Sequence, residues 1–188
     1  MSYHSQMHQF KQLFINFLRF LKNPNQPNYP NISARQKLLH VCFYFLIIDF
    51  VLAVALWYPV ELAEKMGWFN PLKTTEFNYS IYFEIFGLLI FAPLVEEWVF
   101  RLFLGYYRHK PYFKWLFYGS AFVFGLIHIS NYQLDTTHYF FMPLITMTQT
   151  FGGLMLGFIR INYGFWYGML LHALFNTLAF FYDYALQF

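Results

Sequence analysis

Leu88-Leu89-Ile90-Phe91-Ala92-Pro93-Leu94-Val95-Glu96-Glu97-Trp98-Val99-Phe100-Arg101 is the stretch on which the reading of this chain turns. An apolar run leads straight into two adjacent carboxylates, with an arginine four residues after the second. In hydrocarbon an ionised carboxylate costs about 2.5–3.5 kcal/mol on insertion scales, so such groups face a protein interior and serve a purpose there. On a helix, Glu97 and Arg101 stand at i,i+4 with the acid N-terminal, the favourable order for an ion pair. Glu96 points about 100° away and is left out of that pairing. One carboxylate therefore reads as structural and the other as free for chemistry. The competing reading places both on a solvated helix end at the membrane boundary.

The composition supports the membrane setting. Of 188 residues, 59% are hydrophobic and only 11% charged, against roughly 25% charged in soluble domains. The 26% of aromatic residues supplies lipid-facing bulk and interfacial anchors. The fold expected is all-α, a polytopic transmembrane helix bundle. Five apolar runs, near 37–58, 80–105, 112–131, 138–159 and 164–184, each approach the ~20 residues that a bilayer requires. Lys11, Arg19, Lys22, Arg35 and Lys37 precede the first run, Arg108, Lys110 and Lys114 fill the short loop between the second and third, and Arg160 sits between the fourth and fifth. The alternate loops hold Glu61, Glu64, Lys65, Lys73, Glu76 and Asp135. By the positive-inside rule the N-terminus is cytoplasmic and the C-terminus faces out, in a multi-pass protein of the plasma (inner) membrane. Residues 10–22 place Phe10, Leu13, Phe14, Phe17, Leu18 and Leu21 at helical spacing among basic residues, the pattern of an amphipathic helix lying on an anionic membrane face. Asn23 to Asn31, with three prolines, is a non-helical linker. The domain division is thus 1–36, helix and linker, and 37–188, the transmembrane domain. A single cysteine, Cys42, excludes an intramolecular disulfide, and a formal charge of +3 gives no argument for nucleic acid.

Few other intramembrane side chains can do acid–base chemistry. His128 lies deep in the third run; His172 and Asn176 share a face of the fifth at i,i+4. Counted from the basic ends at ~1.5 Å per residue, Glu96 lies about 15 Å deep, His172 about 12 Å and His128 about 21 Å. Helix tilt of ~20° absorbs much of that spread, so the groups can converge on one cavity. Asp49 and Glu84 read as structural hydrogen-bonding partners, with a proton or ion pathway as the sharper alternative. Asn131 is a candidate to orient His128. His40, His109 and His138 fall near span ends. Gly153 and Gly157 form a small-xxx-small pattern that suits close helix packing.

Glu96-Glu97-Trp98-Val99-Phe100-Arg101, then Phe124 to His128, then His172 to Asn176 resemble the motifs of the CPBP family of intramembrane proteases. That family joins type II CAAX prenyl endopeptidases with bacteriocin-processing and self-immunity (Abi) proteins. The resemblance covers about residues 80–180. It implies that Glu96, with His128, activates a water for attack on a peptide carbonyl, that His172 and Asn176 hold the oxyanion, and that Glu97 and Arg101 support them. Its substrates would be membrane-associated peptides or proteins, prenylated tails among them. Elementary chemistry agrees: a carboxylate in an apolar cavity is a stronger base, and preorganised donors stabilise a tetrahedral intermediate by roughly 3–4 kcal/mol. Neither Cys42, Ser120 nor Ser130 has a constellation that would make it a nucleophile. Glu96, His128 and His172 also compose a set of ligands that zinc or another divalent metal could use; no cofactor is demanded, and catalysis by the glutamate alone explains the same residues. Two further readings are a non-catalytic immunity or scaffold protein of the same fold, and a small transporter built on the buried acids.

Overall fold

The computed structural model describes residues 3–25, 29–75 and 80–186. It is a helical bundle; its strands, Lys73–Thr74 and Tyr132–Gln133, form one two-residue antiparallel ribbon. The main helices are α1 (Tyr3–Lys22), α2 (Ala34–Lys65, π-helical over His40–Phe45), α3 (81–100), α4 (Leu102–Tyr107), α5 (Phe113–Ile127), α6 (Met147–Asn162) and α7 (Phe165–Leu186), with a short helix Met142–Ile145 leading into α6.

Among the described residues, three helical stretches are long and apolar enough to cross a membrane by length and composition: Ala34–Lys65, Phe113–Asn131 and Tyr139–Asn162. The other two of the five expected runs, 80–105 and 164–184, fall outside that set by the same measure but are helical. The run at 80–105 is helical but divided: Ile81–Phe86 and Ala92–Phe100 flank a π-helical Gly87–Phe91, and the chain breaks at Arg101 (φ −123°, ψ −22°) before α4. The last run is α7, which carries the polar His172 and Asn176.

Proline chemistry accounts for the division of α3. Ala92 N–H bonds Gly87 O, one residue further back than in an α-helix. In that register the next donor, for Leu88 O, would be the nitrogen of Pro93, which carries no hydrogen. Leu88 O is instead met by the side chain of Asn176 in α7, whose Nδ2 donates at 2.9 Å. The break at Arg101 is closed in the same way. Ser120 Oγ donates to Phe100 O at 2.5 Å. Arg160 donates to Arg101 O at 3.1 Å and to Leu102 O at 3.2 Å. Orphaned backbone carbonyls in an apolar bundle are thereby satisfied by side chains of neighbouring helices.

Helix α6 packs at the centre of the bundle. A Cβ on Gly157 would lie 2.8 Å from the Phe117 ring, and one on Gly153 would lie 3.1 Å from both Ala121 Cα and Arg101 Nη2. The small-xxx-small pattern thus sets the approach of α6 to α5. The apolar face of α1 differs from expectation in what it meets. Leu13, Phe17 and Phe20 are buried against the bundle, with Phe20 5.2 Å from both Phe117 and Phe158 in edge-to-face packing. Leu18, expected on that face, is exposed. Ser33 caps α2 through a reciprocal box with Gln36. Residues 23–25 and 29–31 are irregular; residues 26–28, within the expected linker, and Glu76 lie outside the described residues.

Candidate functional site

Glu96 and Glu97 sit on the last turns of α3 and project differently, as their 100° offset requires. Glu97 is fully buried, with Oε1 3.6 Å from Nη1 of an equally buried Arg101. The Arg101 guanidinium lies 3.8 Å from the centre of the Phe124 ring, a cation–π contact that helps to balance a desolvated cation. Helix α7 can approach this pair because residue 168 is glycine: a Cβ there would stand 3.2 Å from Glu97 Oε2.

His172, from α7, bridges the two carboxylates. Its Nδ1 is 3.2 Å from Glu97 Oε1 and its Nε2 3.6 Å from Glu96 Oε2. His128 closes the site from α5, where it caps the helix and opens a 3-10 turn. Its Nδ1 donates to Phe124 O at 2.7 Å, which leaves Nε2 facing Glu96 Oε2 at 3.9 Å. Glu96 retains 22% side-chain exposure, yet Oε2 itself is buried and has no hydrogen-bond partner among the described residues. A buried carboxylate oxygen left unsatisfied between two imidazoles is costly unless the site uses it.

Glu96, Glu97, Arg101, His128 and His172 therefore meet in one place. Asn176 lies on the same face of α7, one turn on from His172, with one amide hydrogen committed to Leu88 O. Other expectations are corrected. Asn131 is exposed and hydrogen-bonds through its backbone O to Thr75 N, so Phe124 O, not Asn131, orients His128. Glu84 is exposed near the start of α3. Asp49 is 6% exposed, and no described group hydrogen-bonds it. Neither acid is the structural hydrogen-bonding partner expected.

A metal fits these residues poorly. Ligand atoms of a tetrahedral zinc with bonds of about 2.0–2.1 Å stand about 3.3 Å apart, closer than the 3.6 and 3.9 Å from Glu96 to the two imidazoles. Among the described residues no group of three or more His, Cys, Asp or Glu side chains is arranged to hold a metal ion.

Three contributors were missed in the sequence. Arg160, Ser120 and Gly168 carry no local signal for these roles, because each acts through a partner remote in sequence. Phe124 carried a signal, as the first position of the Phe-to-His motif.

The fold and site together define an α-helical membrane protein with a buried glutamate–histidine centre. Residues 78–178 match the family described as type II CAAX prenyl endopeptidase Rce1-like, and the chain belongs to that family. It is also 32% identical over 114 residues to the UPF0177 protein YaiF of Lactococcus lactis subsp. lactis (strain IL1403), a match that covers 59% of this chain and 46% of that protein. The chain thus matches under half the length of this curated relative. No solved structure gives a significant match.

Proposed function

We propose that this protein is an intramembrane endopeptidase that hydrolyses a peptide bond of a membrane-associated substrate, of which a prenylated CAAX-type tail is the first candidate. The observation that carries the reading is the buried, unsatisfied Glu96 Oε2 between His172 Nε2 and His128 Nε2. Glu96 Oε2 and His128 Nε2, with Nδ1–H given to Phe124 O, are both acceptors. A water donating to each over ~2.8 Å would span their 3.9 Å separation at an angle of about 90°, near its own. Its lone pair then faces away from both groups, toward an incoming carbonyl.

In the reaction Glu96 takes a proton as the water oxygen bonds to the carbonyl carbon. The carbonyl oxygen becomes an oxyanion, held by the second Nδ2 hydrogen of Asn176 and by a protonated His172 Nε2. Collapse breaks the C–N bond, and Glu96 returns the proton to the leaving amine. Glu97 and Arg101 position His172 and take no proton. In the membrane, the basic end that carries Lys37, Arg108 and Arg160 lies on the cytoplasmic side, and the chain crosses the plasma membrane several times.

The test is reconstituted protein with a fluorogenic prenylated CAAX-type peptide in ¹⁸O water, with and without chelator, and product analysis by mass spectrometry. A new C-terminus carrying ¹⁸O, formed equally with chelator, supports the reading. Loss of cleavage with chelator and its return with zinc would contradict the metal-free part. Tight binding of the peptide without cleavage would replace the enzyme by the scaffold or immunity reading.

A further inference from the structure

At the basic end of the bundle three cations converge on one phenol. The Arg108 guanidinium carbon lies 4.9 Å from the centre of the Tyr29 ring, and Lys37 Nζ lies 5.6 Å from it. Arg160 Nη1 donates to the Tyr29 hydroxyl at 3.3 Å. Among the described residues none of the three cations is in an ion pair. The sequence has no Asp or Glu before Asp49, so neither α1, the linker nor the start of α2 supplies a counter-charge. Arg108 Nε donates to His109, but its Nη1 is buried without a hydrogen-bond partner among the described residues.

Cation–π contacts account for the approach of Arg108 and Lys37 to the ring, and a hydrogen bond to the hydroxyl for that of Arg160, but neither neutralises a charge. Three like charges around one side chain repel, and a buried guanidinium N–H without an acceptor is costly. We propose that Tyr29, Lys37 and Arg108, with Arg160 fixed behind them, form a binding site for a phosphate-type anion. A tetrahedral oxyanion supplies what the cluster lacks. Its oxygens accept from Arg108 Nη1, from the Lys37 ammonium, and from the Tyr29 hydroxyl, which accepts from Arg160 and still has its own hydrogen to give. Arg160 itself is held by the carbonyls of Arg101 and Leu102, so it contributes a fixed charge. Lys37 lies in the first turns of α2, the level at which phospholipid headgroups meet a spanning helix. The phosphate can therefore come from an anionic lipid headgroup or from solution.

The test follows thermal unfolding of the detergent-purified protein with short-chain phosphatidylglycerol, with the matching phosphatidylcholine, and with inorganic phosphate against chloride at equal ionic strength. Wild type is compared with Lys37→Gln/Arg108→Gln and with the charge-preserving Lys37→Arg/Arg108→Lys, and phospholipid phosphorus retained per protein is counted in each. A saturable rise in Tm of several degrees is expected for wild type, kept in the charge-preserving variant and lost in Lys37→Gln/Arg108→Gln, which also retains less phosphorus. Without added anion the glutamine variant should be no less stable than wild type, because repulsion is relieved. A rise with phosphatidylglycerol alone assigns the site to the headgroup; an equal rise with inorganic phosphate assigns it to the free anion. An unchanged response in the glutamine variant, or no response of wild type to either phosphate source, would overturn the proposal.

Discussion

Glu96 and Glu97 are chemically identical neighbours that share His172 and otherwise differ in their surroundings. Glu97 is sealed against Arg101 and His172, whereas Glu96 keeps partial access and faces both imidazoles. The pairing was legible because i,i+4 spacing depends only on helix geometry. The contacts of the Phe124 ring with Arg101 and His172 were not, because they depend on how α5 packs against Arg101 and α7. Removing one member of a buried ion pair leaves the other charge uncompensated, at a cost of about 3–5 kcal/mol. Glu97→Gln should therefore lower unfolding free energy in mixed micelles by about that amount, and Glu97→Gln/Arg101→Met should recover part of the loss. A double variant destabilised by the sum of its single changes would show that the pair is not coupled.

Breaks in the helices do as much to build the site as the helices themselves. The π-helical turn before Pro93 and the break at Arg101 both free carbonyls, and both are closed by residues from α5, α6 or α7. Hydropathy showed the apolar run at 80–105 but could not show its division, since Leu88 and Arg101 owe their geometry to partners 88 and 59 residues away. Asn176→Ala should cost about 1–3 kcal/mol by orphaning Leu88 O. Pro93→Ala restores a backbone donor in reach of that carbonyl, so Asn176→Ala should cost clearly less in a Pro93→Ala background. Equal costs in the two backgrounds, measured by denaturant titration, would contradict the link between Pro93 and Asn176.

Across the whole molecule the two ends differ in how they are held. The basic end gathers cations without acids, whereas the opposite end is tied by a polar knot. There Asp135 accepts from Asn70 Nδ2 at 2.7 Å, Thr137 Oγ1 at 2.6 Å and Thr137 N at 2.8 Å. The Asn70 bond first, then the Thr137 bonds and the nearby His138 hold its carboxyl down from 3.8 to about 2. A depressed carboxyl adds stability above its unfolded value and loses it as pH falls through the folded one. Wild-type Tm should therefore drop toward that of Asp135→Asn between pH 4 and 2, with a constant difference at higher pH; a difference that ignores pH in this range would remove Asp135 from the account. The membrane class and the order of the long helices were legible in composition and periodicity. The docking of α1 on the bundle was not, because an amphipathic face looks the same whether lipid or protein covers it. The most direct measurement of the central claim, that Glu96 serves chemistry while Glu97 serves structure, is turnover and Tm of Glu96→Gln in one bilayer preparation. Cleavage reduced by about 10²–10⁴-fold, the range of general-base catalysis, with Tm nearly unchanged is the predicted result. Wild-type turnover in Glu96→Gln would contradict it.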